Sequence, residues 1–184
     1  GSEMCIRDRF EGLNILTDPH LTRRASPVSF AGPERYMKPG ISIEDLPHID
    51  LIVISHNHYD HLDRLTLEKI HQKQEGQPPK IFVPLKQKGW FEDLGIPNVV
   101  EMDWWEEQQY LGWKIHAVPV QHWSGRKLWD RNQVLWAGWV LEHPKFRFFF
   151  AGDTGYSNDF IDLGKKFEGF DLAAIPIGAC LLYT

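Results

Sequence analysis

Short apolar runs broken by Gly, Pro and Asp dominate the chain, and they predict strands more often than helices. Residues 13–17 read as a strand that stops at Asp18-Pro19, because the residue before a proline is pushed away from helix. Residues 51–55 are apolar up to Ser55, the pattern of a strand buried on both faces, and residues 80–84 repeat it. Residues 99–102, 110–120, 133–142, 147–151 and 171–177 are the remaining predicted strands. Three helices fall between them. Asp63 caps one that runs to Gln74 with Leu67 and Ile70 inward. Residues 86–94 suit a short one ended by Gly95. Ser157 or Asn158 caps the third, with Phe160, Ile161 and Phe167 inward and Gly169 at its end. Between residues 18 and 48, Pro19, Pro27, Pro33, Pro39 and Pro47 interrupt every regular pattern, which predicts a long ordered loop of the kind that often carries function. Strands alternating with a few helices give an α/β fold with layered sheets.

Composition narrows this picture without redirecting it. A chain of 184 residues is long enough for one domain with its own core. The net charge is −5 and no basic run stands out, so nucleic-acid binding by bulk electrostatics is not expected. No apolar stretch approaches the roughly 18 residues of a membrane span. The first residues lack the charged-then-apolar order of a signal peptide. A cytoplasmic location is therefore the expectation. Cys5 and Cys180 lie near opposite ends and are expected as free thiols. Eight Trp and eleven Phe exceed what packing needs, which leaves some to line a pocket. Residues 1–9 and 180–184 read as non-native termini, so residues 10–179 are expected to be one partial domain, truncated at both ends.

The candidate chemistry gathers where apolar strands give way to polar loop. His56, His58, Asp60 and His61 lie within six positions directly after the 51–55 strand. His122 follows the strand ending at Val120, and Asp153 follows the one ending at Ala151-Gly152. His56 and His58 share a face in extended backbone, and strand ends are rigid enough to fix ligands. Imidazole nitrogen and carboxylate oxygen suit zinc, and also iron or manganese. Two metals about 3.5–4 Å apart can share a bridging carboxylate and bring water to a reactive pKa. A lone His-x-His is usually an ordinary pair of surface or core histidines. Three histidines and an aspartate in six positions have no packing reason to follow a buried strand.

His56-Asn57-His58-Tyr59-Asp60-His61 resembles the His-x-His-x-Asp-His motif of the metallo-β-lactamase superfamily, with His122 and Asp153 matching its later ligands in order. Leu16-Thr17-Asp18-Pro19, Arg24-Ala25-Ser26-Pro27, Gly32-Pro33, Gln121-His122-Trp123-Ser124 and Leu135-Trp136 look like the branch containing N-acyl-phosphatidylethanolamine-hydrolysing phospholipase D and its bacterial relatives. The resemblance implies an αββα sandwich. It implies two zinc ions, one held by His56, His58 and His122, the other by Asp60 and His61, with Asp153 between them. Asp60 would also orient or deprotonate the attacking water as the catalytic residue. The implied activity is hydrolysis of a phosphodiester on a small molecule or lipid. Hydrolysis of a lactone or ester by the same centre, and a non-catalytic metal-binding fragment, are the alternatives. The family has one more metal-binding histidine, whereas this chain has none beyond His143, which puts the second metal in question. It also begins with strands ahead of residue 13. Missing strands would expose sheet edges, so a homo-oligomer paired through them is expected.

Other residues carry two readings each. Asp18 either orients a ligand imidazole or forms an Asp-Pro turn. Gly152 and Gly155 are expected to let backbone approach the metals. Trp123, Ser124 and Arg126 are the candidate substrate-binding residues, with Arg126 either pairing with a phosphate or forming a surface ion pair. Trp104, Trp105, Trp136 and Trp139 either line an acyl pocket or pack the core, and core packing is expected for Trp136 and Trp139, on opposite faces. His20, His48, His71, His116 and His143 read as ordinary histidines.

Overall fold

A computed structural model describes residues 6–10, 12–28 and 30–177, with side chains placed from residue 12 onward. Cys5 and Cys180 lie outside the described residues. Among the described residues, ten strands form two five-stranded sheets. The first sheet runs β1 (Ile6–Phe10), β2 (Leu13–Thr17), β3 (Leu51–Val53), β4 (Lys80–Pro84), β5 (Val99–Met102). β2 to β5 are parallel and β1 is antiparallel to β2, pairing Ile6 with Thr17. The strands expected to be missing ahead of residue 13 are in part present: β1 stands there, overlapping residues read as a non-native terminus, and pairs with β2 along its whole length. The second sheet runs β10 (Leu172–Ala174), β9 (Phe146–Phe150), β8 (Gly138–His143), β7 (Trp113–Val118), β6 (Glu107–Tyr110). Its pairings are antiparallel except β10 with β9.

Period-two alternation sorts the side chains into layers. Ile15, Val53, Phe82, Ile115, Trp139, Phe148 and Phe150 belong to one buried cluster between the sheets. Their neighbours Leu16, Ile52, Ile54, Ile81 and Val83 face outward, beneath Leu67 and Ile70 of α1 (Arg64–Lys73) and Phe91 of α2 (Lys88–Glu92). On the far side Val118, Val140 and Phe149 pack under Leu163 and Phe167 of α3 (Asp159–Phe167). The result is helix, sheet, sheet, helix. None of the helices among the described residues is long and apolar enough to cross a membrane.

Three local expectations change. The run 110–120 starts with a turn rather than a strand: Leu111 and Gly112 both have positive φ and join Tyr110, the last residue of β6, to Trp113, the first of β7, so the strand expected there is Trp113–Val118. Ile161 is 51% exposed, and Leu163 is buried in its place. Phe160, Leu163 and Phe167 share one helical face at i, i+3, i+7, and Ile161 lies off it. Asp63 holds the N-cap position of α1 but makes no side-chain cap; its Oδ2 accepts from the Thr66 hydroxyl at 2.6 Å and from Thr22 N–H at 3.2 Å. That carboxylate anchors the proline-rich loop to the helix.

Candidate metal centre

The ends of β2, β3, β7 and β9 meet at one edge of the sandwich, and specific contacts fix their relative height. Asp18 N–H donates to Val53 O at 3.0 Å, and Ser55 N–H donates back to Asp18 Oδ1 at 2.6 Å. The second sheet is tied to the same segment by Trp139 Nε1 to Ile54 O at 2.9 Å and Ala137 N to Ser55 O at 2.8 Å. Gly152 has φ +59°, and a Cβ there would stand 2.4 Å from Ser55 Cβ. Only glycine lets the Asp153 turn approach Ser55 so closely. Gly155 N–H donates to Gln121 O at 2.8 Å, and Gln121 N–H to Thr154 Oγ1 at 3.0 Å. These bonds lock the Asp153 turn to the loop carrying His122. The approach that both glycines permit is therefore to backbone-bearing neighbours, Ser55 and Gln121.

Two donor sets converge on this frame. His122 Nε2 lies 3.1 Å from His56 Nε2 and 3.3 Å from His58 Nδ1. A neutral imidazole has one N–H and one lone pair, so a single proton cannot satisfy both contacts at His122 Nε2. Three nitrogens aimed at one point are the geometry that a cation relieves. The second set is Asp60, His61 and Asp153, with His61 Nε2 3.6 Å from Asp60 Oδ2 and 3.2 Å from Asp153 Oδ2. In each set the three donor atoms lie within 4.8 Å of one another. Asp153 Oδ2 is also 3.9 Å from His122 Nε2, which places one carboxylate between the sets. This donor chemistry fits a divalent transition metal.

The far nitrogens fix the rings. His61 Nδ1 is 2.6 Å from Asp18 Oδ2, and His56 Nδ1 is 2.8 Å from Ser55 Oγ. Each contact leaves Nε2 for the site. Asp18, with φ +41°, thus forms the turn and also orients a histidine. Burial and the neighbouring His61 push His56 well below its ordinary pKa. Burial also lowers His58, and it pushes His122 down to about 4. These three rings are neutral and ready to ligate at neutral pH. Burial by itself would lower His61 too, but the carboxylates of Asp18 and Asp153 outweigh it and hold His61 well above the ordinary value. Burial raises the Asp18 carboxyl against the opposing pull of His61.

The three residues expected to meet substrate diverge. Trp123 flanks the cluster, its ring centroid 4.1 Å from that of His58. Ser124 has no exposed surface and gives its hydroxyl to Val134 O at 2.6 Å, so it shapes the loop. Arg126 turns its Nη1 to the carbonyls of Asn57 and Leu62, both at 2.8 Å, with its guanidinium 4.0 Å over the Tyr59 ring. Trp139 is buried between the sheets and Trp136 packs on the opposite, α3 side. Trp104 packs against the inter-sheet core, and Trp105 is partly exposed.

Comparison with known proteins gives the same picture. The profile of the beta-lactamase superfamily domain matches residues 13–181. The chain is 42% identical over 181 residues to N-acyl-phosphatidylethanolamine-hydrolyzing phospholipase D 1 of Caenorhabditis elegans, covering 92% of this chain and 50% of that protein. It is 37% identical to the mitochondrial N-acyl-phosphatidylethanolamine-hydrolyzing phospholipase D of Saccharomyces cerevisiae, covering 96% of this chain and 38% of that protein. The chain thus spans half or less of these relatives' length. Its fold matches a possible metal-dependent hydrolase from Veillonella parvula with a TM-score of 0.70 at 18% identity, over 91% of this chain and 66% of that one. By sequence and by fold, this chain belongs to the metallo-β-lactamase superfamily.

Proposed function

We propose that this chain carries the metal centre of a metal-dependent hydrolase, and that the substrate is a phosphodiester. The observation that carries this reading is the pair of donor sets with the Asp153 carboxylate standing between them. His56, His58 and His122 would hold one metal; Asp60 and His61 would hold a second, with Asp153 between. Zinc is the metal this donor set favours, with iron or manganese as alternatives. Bound there, the metals would supply Lewis acidity and lower the pKa of water. Asp60 has 38% of its side chain open, and it can accept the proton that an attacking water gives up. Trp123 forms an apolar wall beside His58. The substrate class rests on the relatives named as phospholipases D, of which this chain spans half or less.

The test is turnover of a chromogenic phosphodiester and of a lactone by the zinc-loaded protein. Phosphodiester hydrolysis lost in Asp60→Asn is expected. Turnover of the lactone alone would overturn the substrate class, and turnover of neither would overturn the catalytic reading in favour of a metal-binding role.

A further inference from the structure

Between the loop carrying His56 to His61 and the loop after His122 stands a side chain that neither donor set uses. Arg126 is partly buried, and its Nη1 donates to Asn57 O and to Leu62 O, both at 2.8 Å. Those two carbonyls bracket His58, Asp60 and His61. The bracketed backbone is a tight turn, with His61 N–H and Leu62 N–H both donating to His58 O, at 3.1 and 2.8 Å. Tyr59, inside the turn, donates its hydroxyl to Arg126 O at 3.1 Å and lies under the guanidinium. Gly125 N–H closes the pair of loops on Asn57 Oδ1 at 2.7 Å. The Arg126 backbone is itself fixed by Asp130 Oδ1, which accepts from Arg126 N–H at 2.9 Å and Lys127 N–H at 2.8 Å.

We infer that Arg126 is a positioning residue: its guanidinium clasps both ends of the His58–His61 turn and so holds His58, Asp60 and His61 in register with His122. The chemistry requires arginine. A planar fork can stack on Tyr59 while one nitrogen serves two carbonyls, whereas a lysine ammonium is a point donor that cannot stack in this way. The clasp joins the ligands of one loop to the ligand of another, 66 residues apart in the chain. Partners that fix ligands from behind are commonly worth on the order of 10- to 100-fold in metal affinity. The part of the inference that concerns metal rests on the reading proposed above.

The experiment compares Arg126→Gln, Arg126→Lys and Gln74→Ala with the wild-type chain. Gln74 is a stability control remote from the centre; its side chain bonds Ile49 N–H and Ile49 O, both at 2.9 Å. Amide hydrogen exchange is read first, on metal-free protein, then zinc affinity by competition with a chelator. Faster exchange confined to residues 56–62 is expected in both Arg126 variants and not in Gln74→Ala. Zinc dissociation constants should rise about 10- to 100-fold in Arg126→Gln, less in Arg126→Lys, and stay unchanged in Gln74→Ala. Unchanged exchange at 56–62, or exchange that rises everywhere alike, would overturn the clasp. An Arg126→Gln chain that binds zinc as the wild type does, with only KM raised, would show a substrate contact instead and would also overturn it. Failure of the wild type to bind zinc would overturn the metal reading alone, since the exchange comparison does not depend on metal.

Discussion

Replacing Asp18 by alanine removes one buried carboxylate that three groups use. Ser55 N–H reaches Oδ1 at 2.6 Å, while the Ser55 hydroxyl and His61 Nδ1 both meet Oδ2. Asp18 is 2% exposed, so no water takes its place without rearrangement. A buried donor left without an acceptor costs about 1–3 kcal/mol, and breaking a buried charged pair from one side costs about 3–5 kcal/mol. The Asp18→Ala loss is set at about 3–5 kcal/mol, because Ser55 and His61 share one network and their losses do not add in full. For a chain of this size each kcal/mol lowers Tm by about 2–4 °C, which gives a drop of roughly 6–20 °C. Scanning calorimetry on metal-free protein measures it, so that no bound ion masks the change. Asp18→Asn is the sharper control. It keeps one oxygen for Ser55 N–H but sets an amide NH2 against His61 Nδ1. It should recover only part of the loss. An Asp18→Asn chain with wild-type Tm would refute the claim that the carboxylate holds His61.

Two further outcomes follow from the same frame. Gly152→Ala combines a left-handed backbone with a Cβ 2.4 Å from Ser55 and is expected to cost roughly 2–5 kcal/mol, read as a lowered urea midpoint; an unchanged midpoint would show that the turn has room to relax. His116 is held below its ordinary pKa by burial against α3, despite its 3.2 Å contact with Glu142. The unfolded chain therefore takes up a proton that the folded chain resists, and stability falls as pH drops below about 6.5. His116→Gln should flatten this fall between pH 7 and 5 in urea titrations of metal-free protein, and an equally steep fall would assign it to the other buried histidines.

Elements legible in the sequence were those with local causes. The bounds of β2, β4 and β5 match the apolar runs at 13–17, 80–84 and 99–102. The β6–β7 hairpin is hidden because β6 is Glu107-Gln108-Gln109-Tyr110, polar and mostly exposed, so it leaves no apolar run, and Gly112 is the one turn signal beside it. Residues 133–137 look like the start of β8, yet they are held singly by other segments: Leu135 N–H by Leu85 O and Ala137 N–H by Ser55 O. In the centre, the grouping of the six candidate donors is legible because four stand within six positions in the loop after β3 and the other two in the loops after β7 and β9. Asp18 carries two readings in the sequence, because the contact that decides between them crosses 43 residues to His61. The direction of the Arg126 side chain was equally out of reach. Its acceptors are backbone carbonyls, which leave no mark in a sequence.

The proposed metal centre comprises two donor sets with Asp153 between them. Zinc content per chain after equilibrium dialysis, in wild type and in His58→Ala, tests it most directly. One tightly held and one weaker equivalent are expected in the wild type, the weaker at Asp60, His61 and Asp153, where two of the three donors are carboxylates partly open to solvent, Asp60 at 38% and Asp153 at 20%. His58→Ala should lose the tight equivalent, since it breaks the set whose nitrogens crowd to 3.1 and 3.3 Å. A wild-type chain that retains no zinc, or a His58→Ala chain that retains as much as wild type, would contradict the assignment.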